Sequence, residues 1–401
     1  RDIGSAYGLA YQRTTDTLYA GAYMKRYSGF GPSGTGAIYR IPSAGGTPGT
    51  PTLLIDLSAT VSTGTDPHPT TDASAGGDWF HDASSWDGVG KISLGDLELS
   101  EDGRTLYAVS LNTRELVSIG LAADGTASGT VTHVSIPSPC AAAGHGTDAD
   151  WRPFGLGRSG TSVYVGGTCS AESSQSVSDL WAYVLRYSGG SFSTVLNASL
   201  NYGRKCAYST NCPGGANDTW HPWRSTFIAP SGNPHSYPQP ILADLTFDHG
   251  DLILGLRDRY GDQLGNFAGD TTVGSATKYE GVSAGDILRA CASSGGWTLE
   301  SAGASVGGCT TSFGPSAGSA NAEGPGGGEF YYQDRIPGNV HPEISIGGLT
   351  QIPGYPDVIE TSFDPFAIRQ GGLLWQSNAN GSYSKGYVIF QSPGGTPATP
   401  P

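Results

Sequence analysis

A pattern of three short apolar strands recurs five times along this chain of 401 residues. Each copy has a strand that follows a small residue, then a turn, a second strand containing Tyr or Leu, and a third strand. The copies begin at Tyr7, Leu94, Arg152, Ile241 and Gly347. A single copy cannot bury both faces of its sheet, so the copies must pack against one another. The repetition therefore predicts an all-β fold, a β-propeller with sheets arranged radially around a channel.

The copies are spaced more widely than the usual propeller repeat of about 40 to 50 residues. Segments rich in Gly, Ser and Pro, at 44–88, 200–237 and 296–340, are expected to be the insertions that account for this spacing. Because insertions of this length can contain further sheets, we expect five, six or seven blades. A pair of β-sandwiches would also explain the strands, but it would not explain why the three-strand pattern returns.

The composition favours one turn-rich globular domain. The chain has 62 Gly and 26 Pro, yet 37% of its residues are hydrophobic and 10% are aromatic, too many for a disordered chain. A net charge of −14 without a basic stripe argues against nucleic acid as a partner, and no apolar run is long enough to span a membrane. We expect a single propeller over residues 1–391 and a linker or tail rich in Pro, Gly and Thr over residues 392–401.

The six cysteines fall into three pairs of near neighbours. Because the entropy of loop closure favours nearby partners, we predict the disulfides Cys140–Cys169, Cys206–Cys212 and Cys291–Cys309. Three disulfides would indicate an oxidising compartment and therefore an extracellular protein. The alternative is a set of buried free thiols in a cytosolic protein.

Several long motifs resemble one family of proteins. They are Gly95-Asp-Leu-Glu-Leu-Ser-Glu-Asp-Gly-Arg-Thr-Leu-Tyr, Leu254-Gly-Leu-Arg-Asp-Arg-Tyr-Gly-Asp-Gln, Gly326-Gly-Gly-Glu-Phe-Tyr and Phe363-Asp-Pro-Phe-Ala-Ile-Arg. They are similar to the propeller-like region of large bacterial cell-surface proteins that often carry SdrD-type B repeats downstream. The resemblance covers nearly the whole chain, and it implies secretion, cell-surface display and a multidomain parent. It brings no catalytic motif.

Three acidic residues are expected at the central channel. Asp96 and Glu98 lie two residues apart on one predicted strand, so both side chains point to the same face of the sheet. Asp244 has a similar position in the fourth copy. If these strands are innermost, the carboxylates would bind a ligand or a cation, or act as acid and base. The alternative is that they only form a polar channel wall.

The densest run of charge follows the second strand of the fourth copy. Asp258 and Asp262 are candidate calcium ligands there, although their spacing is not that of an EF-hand. Arg257 and Arg259 are candidate ligand-binding residues. The alternative, which we favour, is that the arginines form ion pairs with the carboxylates and order the loop.

Three tryptophans stand beside charged residues. Trp151 follows an acidic segment, and Trp220 and Trp223 lie in an expected insertion. On a surface they would suit a glycan or a peptide, because their rings supply contact area and neighbouring polar groups give direction. The alternative for each ring is that it fills a gap between blades.

These observations favour an adhesin-like module for binding or display at a cell surface, without assigned catalysis. Its partner would be a glycan, a protein or other copies of itself, and calcium is the one cofactor considered. The first alternative is a carbohydrate-active enzyme whose acids, separated by about 5 to 9.5 Å, line the channel; its candidates are Asp96, Glu98, Asp244, Glu329 and Glu343. The second alternative is a structural subunit of an extracellular fibre.

Overall fold

The chain folds into five antiparallel sheets of four strands each. The computed structural model describes residues 2–69, 77–205, 207–208, 218–228, 236–301, 323–334, 341–366 and 370–391. In every sheet the strands are hydrogen-bonded in chain order, and a small separate hairpin stands between the second and third strands of the fourth sheet. The fold is a five-bladed β-propeller, which confirms the predicted architecture with the lowest blade number expected.

The first three sheets are built from twelve consecutive strands. The first contains β1 (Ala6–Gln12), β2 (Thr17–Ala22), β3 (Ala37–Pro42) and β4 (Thr52–Asp56). The second contains β5 (Leu94–Leu99), β6 (Thr105–Ser110), β7 (Glu115–Leu121) and β8 (Ala127–Ser135). The third contains β9 (Trp151–Ser159), β10 (Ser162–Cys169), β11 (Trp181–Ser188) and β12 (Ser191–Ser199).

The fourth sheet is interrupted by the hairpin. It begins with β13 (Pro240–Asp248) and β14 (Asp251–Asp258), continues after the hairpin strands β15 (Asn266–Gly269) and β16 (Lys278–Glu280), and ends with β17 (Asp286–Ser293) and β18 (Gly296–Leu299). The fifth sheet contains β19 (Ser345–Gln351), β20 (Asp357–Phe363), β21 (Gln370–Ser377) and β22 (Tyr383–Gln391). The α-helices are short: α1 (Ser84–Gly88), α2 (Cys140–Ala143) and α3 (Arg259–Leu264).

The repeat pattern locates the inner strands and misses most of the outer ones. The predicted strands of each copy coincide with the inner three strands of a sheet, but β4, β8, β12 and β18 were not among them. Most side chains of β8 are exposed or half-buried, so this strand lacks the apolar pattern of a buried one. Two expected insertions are corrected as well: 44–88 contains β4 and α1, and 296–340 contains β18.

Apolar side chains fill the spaces between neighbouring sheets. Representative buried residues are Ile38, Leu97 and Leu106 between the first and second sheets, Leu116, Phe154 and Val165 between the second and third, Leu196, Leu242 and Leu254 between the third and fourth, and Ile253, Ile287 and Val358 between the fourth and fifth. Burial of this kind of area is the main favourable contribution to folding. Each sheet is therefore stabilised by the sheet beside it, as expected for a propeller.

One predicted disulfide is present in full. Cys140, in α2, is bonded to Cys169, at the end of β10. Cys291 also takes part in a disulfide, but its predicted partner Cys309 lies outside the described residues, as do Cys206 and Cys212. The last two predicted bridges therefore stay predictions. Within the described part of the chain, no helix has the length and apolar character needed to cross a membrane.

The turn between β5 and β6 shows how the sequence sets the register of an innermost strand. Gly103 has a φ of +66°, a left-handed conformation that favours glycine. Oδ1 of Asp102 accepts the backbone N–H of Arg104 at 3.0 Å and the hydroxyl of Ser100 at 2.7 Å. This turn aligns the two strands so that Glu98 lies opposite Tyr107.

Every innermost strand has a register irregularity near its middle. In β1 it falls between Ala6 and Leu9, and the other four innermost strands have one at the corresponding place. The extra residue bends the strand, and neighbouring backbones come close there. A Cβ on Gly155 would lie 2.7 Å from the backbone nitrogen of Asp244 in the next sheet. Glycine is therefore required at this position by the close approach of the two backbones.

We expect Gly155→Ala to destabilise the propeller by about 1–3 kcal/mol, because the added methyl group would force the third and fourth sheets apart. Gly46→Ala is the matched control, since a Cβ there meets no atom within 4 Å. Both substitutions reduce the conformational freedom of the unfolded chain in the same way. Urea unfolding of the two variants measures the difference, and equal midpoints would contradict this account of the contact.

Candidate functional site

The innermost strands of all five sheets line one central cavity. Its volume is about 590 Å³, and its lining residues come from β1, β5, β9, β13 and β19 and the turns beside them. Among them are the three acids that the sequence placed at a channel, Asp96, Glu98 and Asp244. Arg13, Glu101, Asp102 and Arg158 add further charge to the lining. This cavity is the candidate ligand site.

Asp96 and Asp244 hold the sheets together at the cavity. The Leu97 N–H donates to Oδ1 of Asp96 at 2.8 Å, and the N–H of Leu156, in the third sheet, donates to Oδ2 at 3.0 Å. Asp244 repeats the arrangement. Its Oδ1 accepts the N–H of the next residue, Leu245, at 2.7 Å, and its Oδ2 accepts the N–H of Leu349, in the fifth sheet, at 2.7 Å. Each carboxylate therefore bridges its own strand to the innermost strand of the next sheet.

These two aspartates belong to an alternating pattern around the cavity. The residue that precedes a leucine at the corresponding place in the five innermost strands is, in order, Gly8, Asp96, Gly155, Asp244 and Gly348. Where glycine stands in the first and third sheets, the backbone of the next sheet occupies the space that a side chain would need. In the sequence, every repeat shows this position as a Gly-Leu or Asp-Leu pair. A comparison of the acidic residues alone misses the pattern, because three of the five positions are glycine.

The two aspartates share an environment that disfavours their charge. Burial raises the pKa of Asp96 well above its ordinary value, and repulsion from Asp244 raises it further. Burial likewise raises the pKa of Asp244, and the charge of Glu98 adds to the effect. The backbone N–H groups act in the opposite direction. Because both oxygens of each carboxylate accept a backbone N–H, the main role of these residues is to stabilise the contact between sheets.

Glu98 differs from the two aspartates. Its Oε1 accepts the Leu99 N–H at 2.8 Å within its own strand, and no hydrogen bond to another sheet is recorded for it in the described part of the chain. Burial raises its pKa, while the nearby guanidinium of Arg158 lowers it. Glu98 is half-buried at the cavity wall. A carboxylate and a guanidinium thus lie near one another on the lining, in the second and third sheets.

Arg257, in the fourth sheet, and Asp262, in α3, form an ion pair within the fold. Arg257 donates from Nε and Nη2 to the two oxygens of Asp262, at 2.7 and 2.6 Å. It also donates to the carbonyl of Ile346 in the fifth sheet and lies over the ring of Tyr7 in the first. Burial alone would raise the pKa of Asp262, but the guanidinium outweighs it and the pKa is lowered. Of the ion pairs expected between the two arginines and the carboxylates of this segment, that of Arg257 with Asp262 forms, whereas Arg259 pairs with Asp87.

Asp258 and Arg259 are likewise engaged within the fold. Oδ1 of Asp258 caps α3, accepting the N–H groups of Gln239 and Tyr260 at 2.9 Å each. Arg259 is fully buried, donates to the carbonyl of Val89 at 2.8 Å and lies over the ring of Trp223. Burial lowers its pKa to about 10. The pairing of Asp258 with Asp262 as calcium ligands is corrected, because Arg257 takes the position beside Asp262 that a cation would need.

The tryptophan surface suggested by the sequence is also corrected. Trp151, Trp220 and Trp223 are each 0% exposed. The indole of Trp223 donates to the carbonyl of Pro240 at 2.8 Å, and that of Trp220 donates to the hydroxyl of Tyr202 at 3.1 Å. The rings pack in the interior between sheets, so they cannot contact a ligand.

Two of the acids considered for glycoside hydrolysis lie away from the cavity. Glu329 and Glu343 are each at most 1% exposed and are absent from the cavity lining. They lie near Asp286 and Asp334, between the fourth and fifth sheets. The expectation that they face the channel together with Asp96 is therefore wrong. Both residues belong to the connection between β18 and β19, of which the described residues Phe330 and Tyr331 pack between these two sheets.

The chain is similar along nearly its whole length to segments of the colossins of Dictyostelium discoideum. It is 29% identical to Colossin-A over 393 residues, which are 97% of this chain and 3% of that protein. It is 30% identical to Colossin-D over 406 residues, which are 97% of this chain and 38% of that protein. No family model matches the chain. The protein is therefore a propeller related to part of the colossins, whereas its expected membership of a bacterial family with SdrD-type repeats stays a prediction.

Solved structures resemble the chain only distantly. A protein from Lactobacillus plantarum superimposes with a TM-score of 0.41 and 11% identity, covering 96% of this chain and 72% of that one. The periplasmic gluconolactonase PpgL of Pseudomonas aeruginosa gives a TM-score of 0.39 and 11% identity, covering 95% and 69%. Similarity at this level carries no inference about activity.

We expect Asp258→Asn to flatten the pH dependence of stability. Burial raises the pKa of Asp258 to about 7, against about 4 in an unfolded chain. The folded protein therefore holds a proton that the unfolded chain has lost, so this contribution to stability is complete below pH 4 and disappears as the pH rises to 7. Unfolding midpoints in urea at several pH values between 4 and 7 should fall less in the variant than in the wild type. Glu101→Gln, at an exposed position, should keep the wild-type slope; parallel profiles for all three proteins would refute the assignment.

Proposed function

We propose that this propeller is an extracellular module that binds a glycan in its central cavity and displays that activity at a cell surface. The Cys140–Cys169 disulfide and the disulfide-bonded Cys291 support an oxidising compartment. The share of the colossins that the chain matches, 3% of Colossin-A and 38% of Colossin-D, supports the role of one module among others. Attachment to a cell surface is inferred from the resemblance of the sequence motifs to large bacterial cell-surface proteins.

The proposal rests on a difference in hydrogen bonding between the acidic residues of the cavity. Asp96 and Asp244, the two acids predicted to share the channel with Glu98, each accept backbone N–H groups of two sheets at both carboxylate oxygens. A glycosidase needs one acid to protonate the leaving group and a second to act as nucleophile or base. Carboxylates that already accept amides at both oxygens suit that chemistry poorly. Recognition by the remaining polar groups is therefore favoured over catalysis.

The cavity wall offers the groups that a sugar requires. Glu98 can accept hydroxyl groups and Arg158 can donate to ring or hydroxyl oxygens. At the same cavity, Tyr11 is 47% exposed and Leu9 is 56% exposed, and an exposed aromatic face can stack on the C–H face of a pyranose. A few polar groups on a concave surface with some apolar area are typical of a small-molecule site.

We expect the protein to bind glycans on an array, and Glu98→Gln and Arg158→Gln each to weaken that binding about tenfold or more. Loss of one hydrogen bond to a charged group corresponds to a change of about that size. Glu115→Gln and Arg186→Gln are matched controls, since both residues lie outside the cavity lining and should bind as the wild type does. The affinity of each variant is measured by calorimetry with the best array ligand.

Two results would count against this function. The first is binding that Glu98→Gln and Arg158→Gln leave unchanged, because the ligand would then lie elsewhere. The second is release of a sugar product by the wild type that Glu98→Gln abolishes, because the cavity would then be catalytic. Mass spectrometry of the bound glycan after incubation separates binding from cleavage.

A second candidate function, assembly of copies into a fibre, is favoured by the last strand. β22 is the outer edge of the fifth sheet, and it exposes Tyr387, Ile389 and Phe390 by 58%, 65% and 60%. An edge strand with apolar side chains can pair with a strand of another molecule.

We expect the wild type to self-associate with increasing concentration and Ile389→Lys to stay monomeric in analytical ultracentrifugation. Thr132→Lys, on the outer strand β8, places the same charge on another edge and should associate as the wild type does; a wild type that is monomeric throughout would exclude this assembly.

A further inference from the structure

A second polar site lies away from the central cavity, between the fourth and fifth sheets. Asp286 begins β17, whereas Asp334 and Glu343 belong to the connection that leads from β18 to β19. Asp286 and Asp334 are 1% exposed and Glu343 is 0% exposed. One carboxylate oxygen from each of the three lies within 4.8 Å of the other two. None of the three residues lines the central cavity.

Most oxygens of this group have no hydrogen-bond partner among the described residues. They are Oδ1 of Asp286, Oδ2 of Asp334 and both carboxylate oxygens of Glu343. Asp334 and Glu343 lie within hydrogen-bonding reach of each other, so a proton shared between them would satisfy one oxygen of each. The other oxygen of Asp286 accepts the hydroxyl of Tyr202 at 2.6 Å. A buried carboxylate without a partner is strongly unfavourable, and proteins resolve it with a counter-charge, a metal ion or a proton. The oxygens that converge here therefore require a cation or protons to balance their charge.

Nearby basic residues offset only part of this negative charge. Arg204 donates to the carbonyl groups of Ala284 and Gly285 and lies over the ring of Trp220. Lys205 forms an ion pair with Glu323, and Arg289 forms ion pairs with Asp248 and Asp251. The guanidinium of Arg204 is buried close to Glu343 and Asp286, and its charge acts on both carboxylates, so it offsets part of the negative charge of the group.

Further acids surround the group and increase its negative charge. Glu300, Glu323, Glu329 and Glu360 are each at most 1% exposed. The charge of Glu360 acts directly on Asp334, and its Oε2 has no hydrogen-bond partner. Burial raises the pKa of Asp286, Asp334 and Glu343, so protons are the competing way to balance the charge.

We propose that Asp286, Asp334 and Glu343 bind one calcium ion between the fourth and fifth sheets. Ligands that are all carboxylate oxygens select a hard cation, and zinc would require nitrogen or sulfur ligands in most sites. Calcium binds oxygen at about 2.3–2.6 Å, so two of its ligands can be up to about 5 Å apart, whereas magnesium at about 2.1 Å requires a tighter set. A separation of up to 4.8 Å therefore fits calcium better. The second oxygen of Glu343, which also lacks a hydrogen-bond partner, would add to its coordination number.

The ion would join three segments that the fold brings together here. The N–H of Ile344 donates to the carbonyl of Asp334 at 3.0 Å, and the N–H of Gly285 donates to the carbonyl of Ser345 at 2.7 Å. These hydrogen bonds already align the segments that carry the three carboxylates. A bound cation would fix the connection before β19 against the fourth sheet. The site is thus a structural calcium site, independent of any ligand in the central cavity.

The test begins with the wild-type protein, freed of metal by a chelator and dialysed. Calorimetric titration with calcium chloride should show one ion bound per chain, and saturating calcium should raise the unfolding temperature by at least about 2 °C, with magnesium chloride giving a smaller rise. Terbium chloride provides a second measurement. Its luminescence on excitation at tryptophan and tyrosine bands should increase, because Tyr202 donates to Asp286 and Trp220 donates to Tyr202.

Glu343→Gln and Asp334→Asn should lose the calcium-dependent rise in unfolding temperature and the increase in terbium luminescence. Asp258→Asn, which neutralises a buried carboxylate outside the group, should keep both. Absence of calcium binding by the wild type would overturn the proposal, as would binding that survives in both site variants. A Glu343→Gln protein that is more stable than the wild type at neutral pH, with or without calcium, would mean that the carboxyls hold protons instead. If a site variant does not fold, the titration and luminescence of the wild type decide between these outcomes.

Discussion

The close approach of neighbouring innermost strands is the constraint on which the rest of the structure depends. Five strands converge on one axis, and at their irregular positions the backbones come within reach of one another. Asp96 and Asp244 bridge amides across two of the contacts, and in Gly8 and Gly155 the absence of a side chain permits two others. The hydrophobic interfaces between sheets are not directional, whereas these polar bridges fix how the sheets are aligned at the centre.

This constraint also decides what the cavity can do. A carboxylate whose two oxygens both accept amides of adjacent sheets is unsuited to exchange protons with a substrate, because the exchange would break a contact between blades. The polar groups that can contact a ligand are therefore those of residues farther along the innermost strands, such as Glu98 and Arg158. Their positions follow from the strand period of two, since Glu98 lies two residues beyond Asp96 on the same face.

Sequence reasoning predicted the inner strands, the channel acids and one disulfide, because each leaves a local signature. Buried strands show continuous apolar runs, and Cys140 and Cys169 are near in sequence. It failed where the environment of a side chain depends on distant segments. The charged neighbours of Trp151 suggest exposure, yet the ring is buried. The assignment of Glu343 to the channel failed in the same way, because the course of the connection before β19 cannot be read from its Gly-rich sequence.

Two groups of buried charge show how a chain that is only 14% charged uses its ionisable residues. Arg257 and Asp262 satisfy each other within one loop, at 2.6 Å, and the arginine also contacts two other sheets. Asp286, Asp334 and Glu343 gather on separate segments, and the charge of the nearby Arg204 offsets only part of theirs. A mutually paired group needs nothing from solvent, whereas a group of like charges folds only with bound cations or protons. With calcium bound as proposed, the stability of the contact between the fourth and fifth sheets would depend on the calcium concentration of the medium.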